Sequence, residues 1–211
     1  MSSAAEIAMR KAVAVWGRAR WPGARVVHEL VVGQRRIDMA FILRDHLVGV
    51  EIKSARDVID RLDGQLETFA EHIPEVWLAI DRKWTDQEDG YWSVGRVTVC
   101  GDVATDGLIR TNMHGRDFTS SWPARIRRRL TVQMLDLLWA SELQSIAARH
   151  GLGLPKRAAM GVTIPAIARA LTGDQIVAAV CAELRARKAF PRFPASDAPI
   201  PLPHTTPTTM L

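Results

Sequence analysis

Three acidic residues fall on consecutive short β-strand patterns near the start of the chain: Glu29, Asp38 and Glu51. Gly33-Gln34 suits a two-residue hairpin turn between the first two strands, and Arg44-Asp45 centres the second turn. In that register Asp38 lies opposite both Glu29 and Glu51, with directly opposed Cβ atoms about 4.5–5.5 Å apart. The sequence therefore predicts a row of carboxylates across three strands.

Two basic residues are expected beside this row. Lys53 follows Glu51 by two positions, so it shares the same face of the strand, and it falls opposite Arg36. Because opposed like charges repel, the carboxylates must take up protons, pair with cations or bind a metal. Oxygen ligands with no Cys or His beside them favour Mg²⁺ or Mn²⁺. Near such an ion Lys53 could orient or deprotonate a water and stabilise charge developing on a phosphate. A structural ion-pair cluster is the alternative.

The elements that must position these residues follow the order α-β-β-β-α-β. A helical pattern is stopped by Trp21-Pro22-Gly23, and a second helix begins at a motif, Ser54 to Asp57, that resembles a capping box. Ile37, Met39 and Phe41 are expected on one face of the second strand, and Val58 on the buried face of the second helix. The predicted elements are a helix over Ala4–Arg18, strands over Val26–Val32, Arg36–Leu43 and Leu47–Lys53, a helix over Asp57–His72 and a strand over Val76–Ile80.

The second half of the chain changes from strand to helix patterns. Arg96–Cys100 and Gly107–Thr111 are predicted as short strands, and the pattern turns helical from Pro123 onward. Val132–His150 is predicted as one helix, and Pro165–Lys188 as one or two helices broken near Thr172-Gly173. The expected organisation is an α/β core with a central mixed sheet over residues 1–122, a basic helical subdomain over 123–190 and a Pro/Thr-rich flexible tail over 191–211.

The charge of the chain is unevenly distributed. The net charge is +5, but residues 1–122 carry 16 Lys and Arg against 18 Asp and Glu, whereas residues 123–192 carry 12 against 4. This split predicts an acidic site in the first part and contact with a polyanion in the second. The residues expected to contact nucleic acid are Arg125, Arg127, Arg128 and Arg129 in this second part, together with Arg36 in the first. A solvated basic surface is the alternative.

Composition excludes several classes of protein. A chain that is 47% hydrophobic and 24% charged is neither disordered nor embedded in a membrane. No apolar run approaches the ~18 residues of a membrane-spanning helix, and the N-terminus lacks a secretory pattern. Cys100 and Cys181 are far apart with no CxxC, which argues against disulfides or zinc. These observations predict a cytoplasmic protein.

Asp38 followed by Glu51-Ile52-Lys53, on the second and third strands of this core, resembles the PD-(D/E)XK nuclease superfamily. This superfamily includes restriction endonucleases, archaeal Holliday-junction resolvases and RecB-type nucleases. The resemblance implies a restriction-endonuclease-like fold and a Mg²⁺-dependent phosphodiesterase. It further implies that Asp38, Glu51 and the Ile52 carbonyl bind the metal and that Lys53 is the catalytic lysine.

The same resemblance implies two further site residues, Glu6 and Gln65. Glu29 is an additional candidate for contact with the metal. Members often have a glutamate on the first helix, for which Glu6 is the candidate. RecB-type members have a glutamine followed four residues later by an aromatic residue, as Gln65 and Phe69 do here. The chain departs from the family where Ile37 replaces the proline before Asp38. The likeness is greatest to small bacterial and phage members that read R-x-D, E-I-K-S and D-x-x-x-R-L.

These features predict a nuclease acting on DNA, with RNA not excluded, in repair, recombination, defence or phage DNA metabolism. We expect Mg²⁺ or Mn²⁺ as the cofactor, a 5′-phosphate product and no membrane contact, with a homodimer and a protein partner for the tail left open. A catalytically inactive nucleic-acid-binding module of the same fold is the main alternative, and an interaction protein using the tail is the third.

Thr163–Lys188 is either a helix-turn-helix or, preferably, a plain helical hairpin. Trp84 and Trp92 are core anchors or base-stacking groups.

Overall fold

The computed structural model describes residues 4–87, 93–127 and 132–190. Its first six elements follow the predicted order α-β-β-β-α-β. They are α1 (Ala4–Arg20), β1 (Arg25–Val32), β2 (Arg35–Ile42), β3 (Leu47–Lys53), α2 (Leu62–His72) and β4 (Glu75–Asp81). The remaining strands are β5 (Gly95–Cys100), β6 (Val103–Asp106), β7 (Leu108–Thr111) and β8 (Asp117–Ser120). The remaining helices are α3 (Ala140–Arg149), α4 (Met160–Ala170) and α5 (Gly173–Ala186), with short 3₁₀ helices at Arg82–Trp84 and Gln133–Leu137.

Six strands form a mixed central sheet in the order β1-β2-β3-β4-β5-β6. β1, β2 and β3 pair antiparallel, β3, β4 and β5 pair parallel, and β6 returns antiparallel to β5. β7 and β8 form a separate hairpin. The protein is therefore an α/β protein with a mixed central sheet, as predicted. β6 and β8 were not predicted, because each has only four residues, none of them buried, and lacks a continuous β-branched run.

Helices cover both faces of the sheet. α1 packs on one face, where Val13 and Trp21 join a cluster with Phe41, Val50 and Trp77. The other face carries α2 and the C-terminal helices, whose buried residues form one continuous cluster with those of the sheet: Leu66, Phe69, Leu143, Ile167, Val180 and Leu184 with Leu30, Ile42 and Leu78. The C-terminal helices therefore share a hydrophobic core with the strands. Among the described residues, no helix is long and apolar enough to cross a bilayer.

The predicted start of the second helix is wrong. The helix begins at Leu62, and the carboxylate of Asp57 instead accepts hydrogen bonds from the amide and hydroxyl of Ser54, each at 2.7 Å. These contacts close a tight turn, because a short acidic side chain offers the backbone a competing partner to helical hydrogen bonds. Val58 lies outside the helix and is 70% exposed, rather than on its buried face.

The predicted helix over Val132–His150 is divided in the structure. Leu138 and Trp139 adopt extended conformations between the 3₁₀ helix and α3. The carboxylate of Glu142 accepts the Trp139 amide at 2.8 Å, which gives α3 its own N-terminal cap. This cap explains why the helical pattern is interrupted.

The break near Thr172-Gly173 is confirmed, because the Gln175 side chain caps the Thr172 amide at 2.8 Å as α5 begins. The predicted start of the preceding helix is too late. α4 begins at Met160, since the Ala159 carbonyl accepts the Val162 and Thr163 amides at 2.9 and 3.0 Å.

Candidate active site

The predicted hairpin registers are present. In the first hairpin His28 pairs with Met39 and Leu30 with Ile37, which places Glu29 opposite Asp38. In the second, Met39 pairs with Val50. The pairing does not include Glu29 with Asp38, and it ends before Asp38 would meet Glu51. The strands thus keep their register but lose their regular pairing at the acidic residues.

The backbone is distorted at this point. Glu29 has a φ of +54°, which a residue other than glycine rarely adopts. The side chains of Val27 and Leu30 are buried on the same face of the sheet although they are three positions apart. The normal alternation of side chains between the two faces is therefore broken between them. Ile37 and Ala40 show the same break in β2, and the prediction that Ile37 shares a face with Met39 is therefore wrong. In place of a strand pair, Asp38 Oδ2 accepts the Ile52 amide at 2.7 Å.

Arg10 of α1 is the central residue that sequence reasoning missed. Its side chain is 2% exposed, and its Nη2 atom donates at 2.7 Å to both Asp38 Oδ1 and Glu29 Oε1. Its Nη1 atom donates to the Asp38 carbonyl at 2.7 Å, and its Nε to Glu6 Oε1 at 3.1 Å. Burial lowers the pKa of Arg10, but Asp38, Glu29 and Glu6 together outweigh burial and raise it. The available sequence signal was the spacing of Glu6 and Arg10, four residues apart on a helix.

The predicted ligands Glu6, Glu29 and Asp38 are therefore brought together around an arginine. A guanidinium ion can satisfy several carboxylate oxygens at once because its donors are arranged in a planar fork. The acidic row is thus compensated on its α1 side by the protein itself. Glu51 lies at the other end of the row.

Glu51, Lys53 and Gln65 form a second connected group. Lys53 Nζ lies 2.9 Å from Glu51 Oε1 and donates to Gln65 Oε1 at 2.9 Å. Glu51 is only 3% exposed. Burial, followed by the charge of Asp38, raises the pKa of Glu51 to about 8, against the opposing effect of Lys53. Burial also raises the pKa of Asp38, although Arg10 and the Ile52 amide act in the opposite direction.

The carboxylates of the acidic row provide the oxygen ligands that a hard divalent cation such as Mg²⁺ prefers. Within the described part of the chain, Glu51 Oε2 is buried and has no hydrogen-bond partner. No group of three or more His, Cys, Asp or Glu side chains that could hold a metal occurs among the same residues. Mg²⁺ is commonly bound by only one or two carboxylates, with water and substrate phosphates completing its coordination. Asp38 and Glu51 fit that kind of site and do not fit an all-protein cage, and the Ile52 carbonyl remains a ligand that only the family resemblance implies.

Lys53 and Gln65 also border a surface cleft of about 500 Å³. We call it the Arg35–Arg61 cleft, after the two arginines that line it together with Val58 and Asp60. Arg35 begins β2, and Arg61 directly precedes α2. The cleft gives the lysine end of the acidic row access to solvent.

The arginines predicted to contact nucleic acid differ in their surroundings. Arg36 is 67% exposed, with its Nε 3.9 Å from Glu29 Oε2, and Arg125 is also exposed. Arg127 donates to the Ala70 carbonyl at 3.1 Å and to Ser93 Oγ at 3.0 Å, so it holds the chain against α2. Arg128 and Arg129 lie outside the described residues.

The helical pattern expected from Pro123 onward is absent from residues 121–127, which form no helix or strand. Their backbone binds neighbouring segments instead: the Arg125 amide donates to the Ser93 carbonyl at 3.1 Å and the Arg127 amide to the Pro74 carbonyl at 2.8 Å. Trp84 donates to the Ser54 carbonyl at 2.9 Å, and Trp92 lies outside the described residues.

Two arginines at the end of the Thr163–Lys188 segment, for which a helix-turn-helix was the less preferred alternative, make contacts within the protein core. Arg187 is buried, its Nε donates to Glu142 Oε1 at 2.7 Å, and its guanidinium lies over the Trp139 ring at 4.3 Å. Arg185 donates to the Ile42 carbonyl at 2.7 Å. Both arginines tie α5 to the rest of the core.

Comparisons with known proteins give a family but no activity. A family model described as "Bacteriophage P4 protein cII" matches residues 17–190. No curated protein matches the chain. Among solved structures, the SPO1766 protein of unknown function from Silicibacter pomeroyi is similar at 16% sequence identity and a TM-score of 0.41, covering 71% of this chain and 94% of that chain.

Proposed function

The chain belongs to the bacteriophage P4 protein cII family, a name that states no activity, and we propose from its site that it is a metal-dependent nuclease of DNA with a restriction-endonuclease-like core. One observation carries the proposal. A buried carboxylate, Glu51, has one oxygen on Lys53 Nζ at 2.9 Å and the other without a hydrogen-bond partner among the described residues. Asp38 lies beside Glu51 and raises its pKa through its charge and through a side-chain hydrogen bond formed when a proton lies between them, so the two acids share a proton that a divalent cation would replace.

Four residues would have separate roles in phosphodiester hydrolysis: Asp38, Glu51, Lys53 and Gln65. Asp38 and Glu51 would hold the cation, which supplies Lewis-acid stabilisation and a more acidic bound water. Lys53 would orient the attacking water and donate to the phosphate oxygens as negative charge develops on them. Gln65 holds the Lys53 ammonium group through its side-chain oxygen. Attack of water on phosphorus and departure of the 3′ oxygen would leave a 5′-phosphate and a 3′-hydroxyl.

Arg10 supports this arrangement from the opposite side. Arg10 donates a hydrogen bond to Asp38 Oδ1, and the Ile52 amide donates one to Oδ2. The orientation of the carboxylate is therefore held in the absence of a cation. Such preorganisation lowers the cost of assembling a site at the moment of reaction. The buried guanidinium also reduces the repulsion between the acidic row and an approaching phosphate.

The test is cleavage of supercoiled, linear and single-stranded DNA in Mg²⁺, Mn²⁺ or EDTA. We expect cleavage by the wild type with either metal and none in EDTA. Asp38→Asn, Glu51→Gln and Lys53→Met should each lower the rate by about 10²-fold or more, because each removes a group acting on the transition state. Lys156→Met, which removes an exposed lysine remote in sequence from the site, is the matched control.

Two results would count against the proposal. Cleavage that persists unchanged in Asp38→Asn and Lys53→Met would assign the activity to other residues or to a contaminant. DNA binding by a wild-type protein that never cleaves would favour the inactive binding module instead.

A further inference from the structure

The Arg35–Arg61 cleft is continuous with the proposed site. Lys53 and Gln65 belong to both, and the remaining described lining residues are Arg35, Arg61, Val58 and Asp60. Its volume of about 500 Å³ falls within the range of about 300–1,000 Å³ typical of pockets for small organic ligands. The cleft is therefore large enough for a nucleotide unit rather than for a bare ion alone.

The charge of the lining favours an anion. Three cationic side chains face the cleft, from Arg35, Lys53 and Arg61, against the single carboxylate of Asp60. Lys53 is already paired with Glu51. Within the described part of the chain, neither Arg35 nor Arg61 has an ion-pair partner. Two exposed and uncompensated guanidinium groups at one cleft suit a phosphate, which arginine binds through a planar fork of donors.

The two arginines come from separate elements but reach the same end of α2. Arg61 directly precedes the helix. A side-chain carbon built at Gly64 would lie 3.8 Å from Arg35 Nη2, so the Arg35 guanidinium extends from β2 over the first turn of α2. The absence of a side chain at Gly64 leaves that position open.

The remaining lining residues match the rest of a nucleotide. Val58 is 70% exposed and offers an apolar contact for a sugar or base. The Oε1 atom of Gln65 is taken by Lys53, which leaves its amide NH₂ as the donor available to a ligand.

We propose that the Arg35–Arg61 cleft binds the DNA nucleotide next to the cleaved bond, with Arg35 and Arg61 on its backbone phosphate and Val58 against its sugar or base. The inference rests on the proposed nuclease function and names how that site holds its substrate. It also moves the main phosphate contacts from the predicted Arg125–Arg129 segment to residues beside Lys53.

The test measures binding separately from cleavage. Anisotropy of a fluorescein-labelled DNA oligonucleotide, single-stranded and duplex, is recorded in EDTA for the wild type, the double variant Arg35→Ala/Arg61→Ala and the control Arg169→Ala, which removes an exposed arginine of α4. We expect at least tenfold weaker binding for the double variant and less than a twofold change for the control. The slope of log Kd against log salt should fall by about two, one for each lost phosphate contact.

Two outcomes would overturn the assignment of the cleft as a nucleotide site. A double variant that binds like Arg169→Ala, with an unchanged salt slope, would show that the cleft does not contact the backbone. Displacement of the DNA by inorganic phosphate at equal phosphate concentration would show a general anion site instead. Because both arginines are exposed, circular dichroism should show an intact fold in the double variant.

Turnover in Mg²⁺ distinguishes this inference from the nuclease proposal. We expect the double variant to raise KM about tenfold with kcat within threefold, whereas Lys53→Met lowers kcat. If the wild type proves inactive, the nuclease proposal fails while the anisotropy measurement still decides whether the cleft binds DNA.

Discussion

Arg10 Nη2 donates to Asp38 Oδ1 at 2.7 Å, and this contact joins the first helix to the strand that carries the proposed metal ligand. The arginine is 2% exposed. It also reaches the Asp38 carbonyl and Glu29, so one side chain holds the distorted part of two strands. A buried charge of this kind is stable only while its partners remain.

Arg10→Ala should therefore destabilise the protein by roughly 3–5 kcal/mol, because it leaves partly buried carboxylates without their cation. Arg10→Lys should lower the free energy of unfolding by less, since lysine keeps the positive charge but lacks the planar set of guanidinium donors. Urea unfolding followed by tryptophan fluorescence measures both. Lys11→Ala, at the neighbouring exposed position, should stay within about 0.5 kcal/mol of the wild type. Equal losses for Arg10→Ala and Lys11→Ala would show that the ion-pair group does not support the fold.

Glu51 should make the stability of the metal-free protein depend on pH. Its pKa is raised from an ordinary 4.5 to about 8 in the folded state, so the folded protein binds one more proton than the unfolded chain between these values. This contribution to stability is fully present below about pH 4.5 and is lost as the pH rises through about 8. The slope is at most about 1.4 kcal/mol per pH unit.

Unfolding by urea in EDTA, measured from pH 5 to pH 8, checks this dependence. Glu51→Gln should flatten the decline, because the amide does not titrate, whereas Glu71→Gln at an exposed position should retain it. The same decline in the wild type and in Glu51→Gln would show that Glu51 is ionised in the folded protein throughout this range.

In the nuclease that we propose, Gln65 should affect catalysis through Lys53 rather than through the substrate alone. Gln65→Ala removes the acceptor that holds Lys53 Nζ at 2.9 Å. We expect kcat to fall by about tenfold, less than for Lys53→Met, since the ammonium group remains but is less well positioned. In the Lys53→Met background, Gln65→Ala should add little further loss. Fully additive losses in the double variant would contradict the positioning role.

Gly17 should resist substitution for a steric reason. An alanine Cβ at this position of α1 would lie 2.1 Å from Phe41 Cζ, so helix and sheet would have to separate. Gly17→Ala should cost about 1–3 kcal/mol in spite of the better helix propensity of alanine. Gly161→Ala in α4 has open space around the new atom and should be neutral or stabilising by up to about 1 kcal/mol. Thermal unfolding of the two variants compares them, and a stabilised Gly17→Ala would show that α1 packs less closely.

Much of the β-strand core was predictable because its determinants are local. Alternating β-branched residues and two short turns define the strands and their register, and that register placed Glu29, Asp38 and Glu51 in one region. Lys53 and Gln65, which lie on separate elements, are joined by a hydrogen bond in the structure. The start of α2 was not predictable in the same way, because the Ser54–Asp57 turn and a helix cap use the same residue types.

The order of the core elements and the register of the first three strands were predictable from the sequence, because spacing along the chain decides which residues can pair. Which carboxylates share a neighbourhood was predictable in the same way. How the charge of these carboxylates is balanced depends on long-range packing, since Arg10 is separated from Asp38 by 28 positions and reaches it through the packing of the first helix on the sheet. The same long-range packing assigned Arg127 and Arg187 to structural contacts and left Arg35 and Arg61 exposed at the cleft beside Lys53.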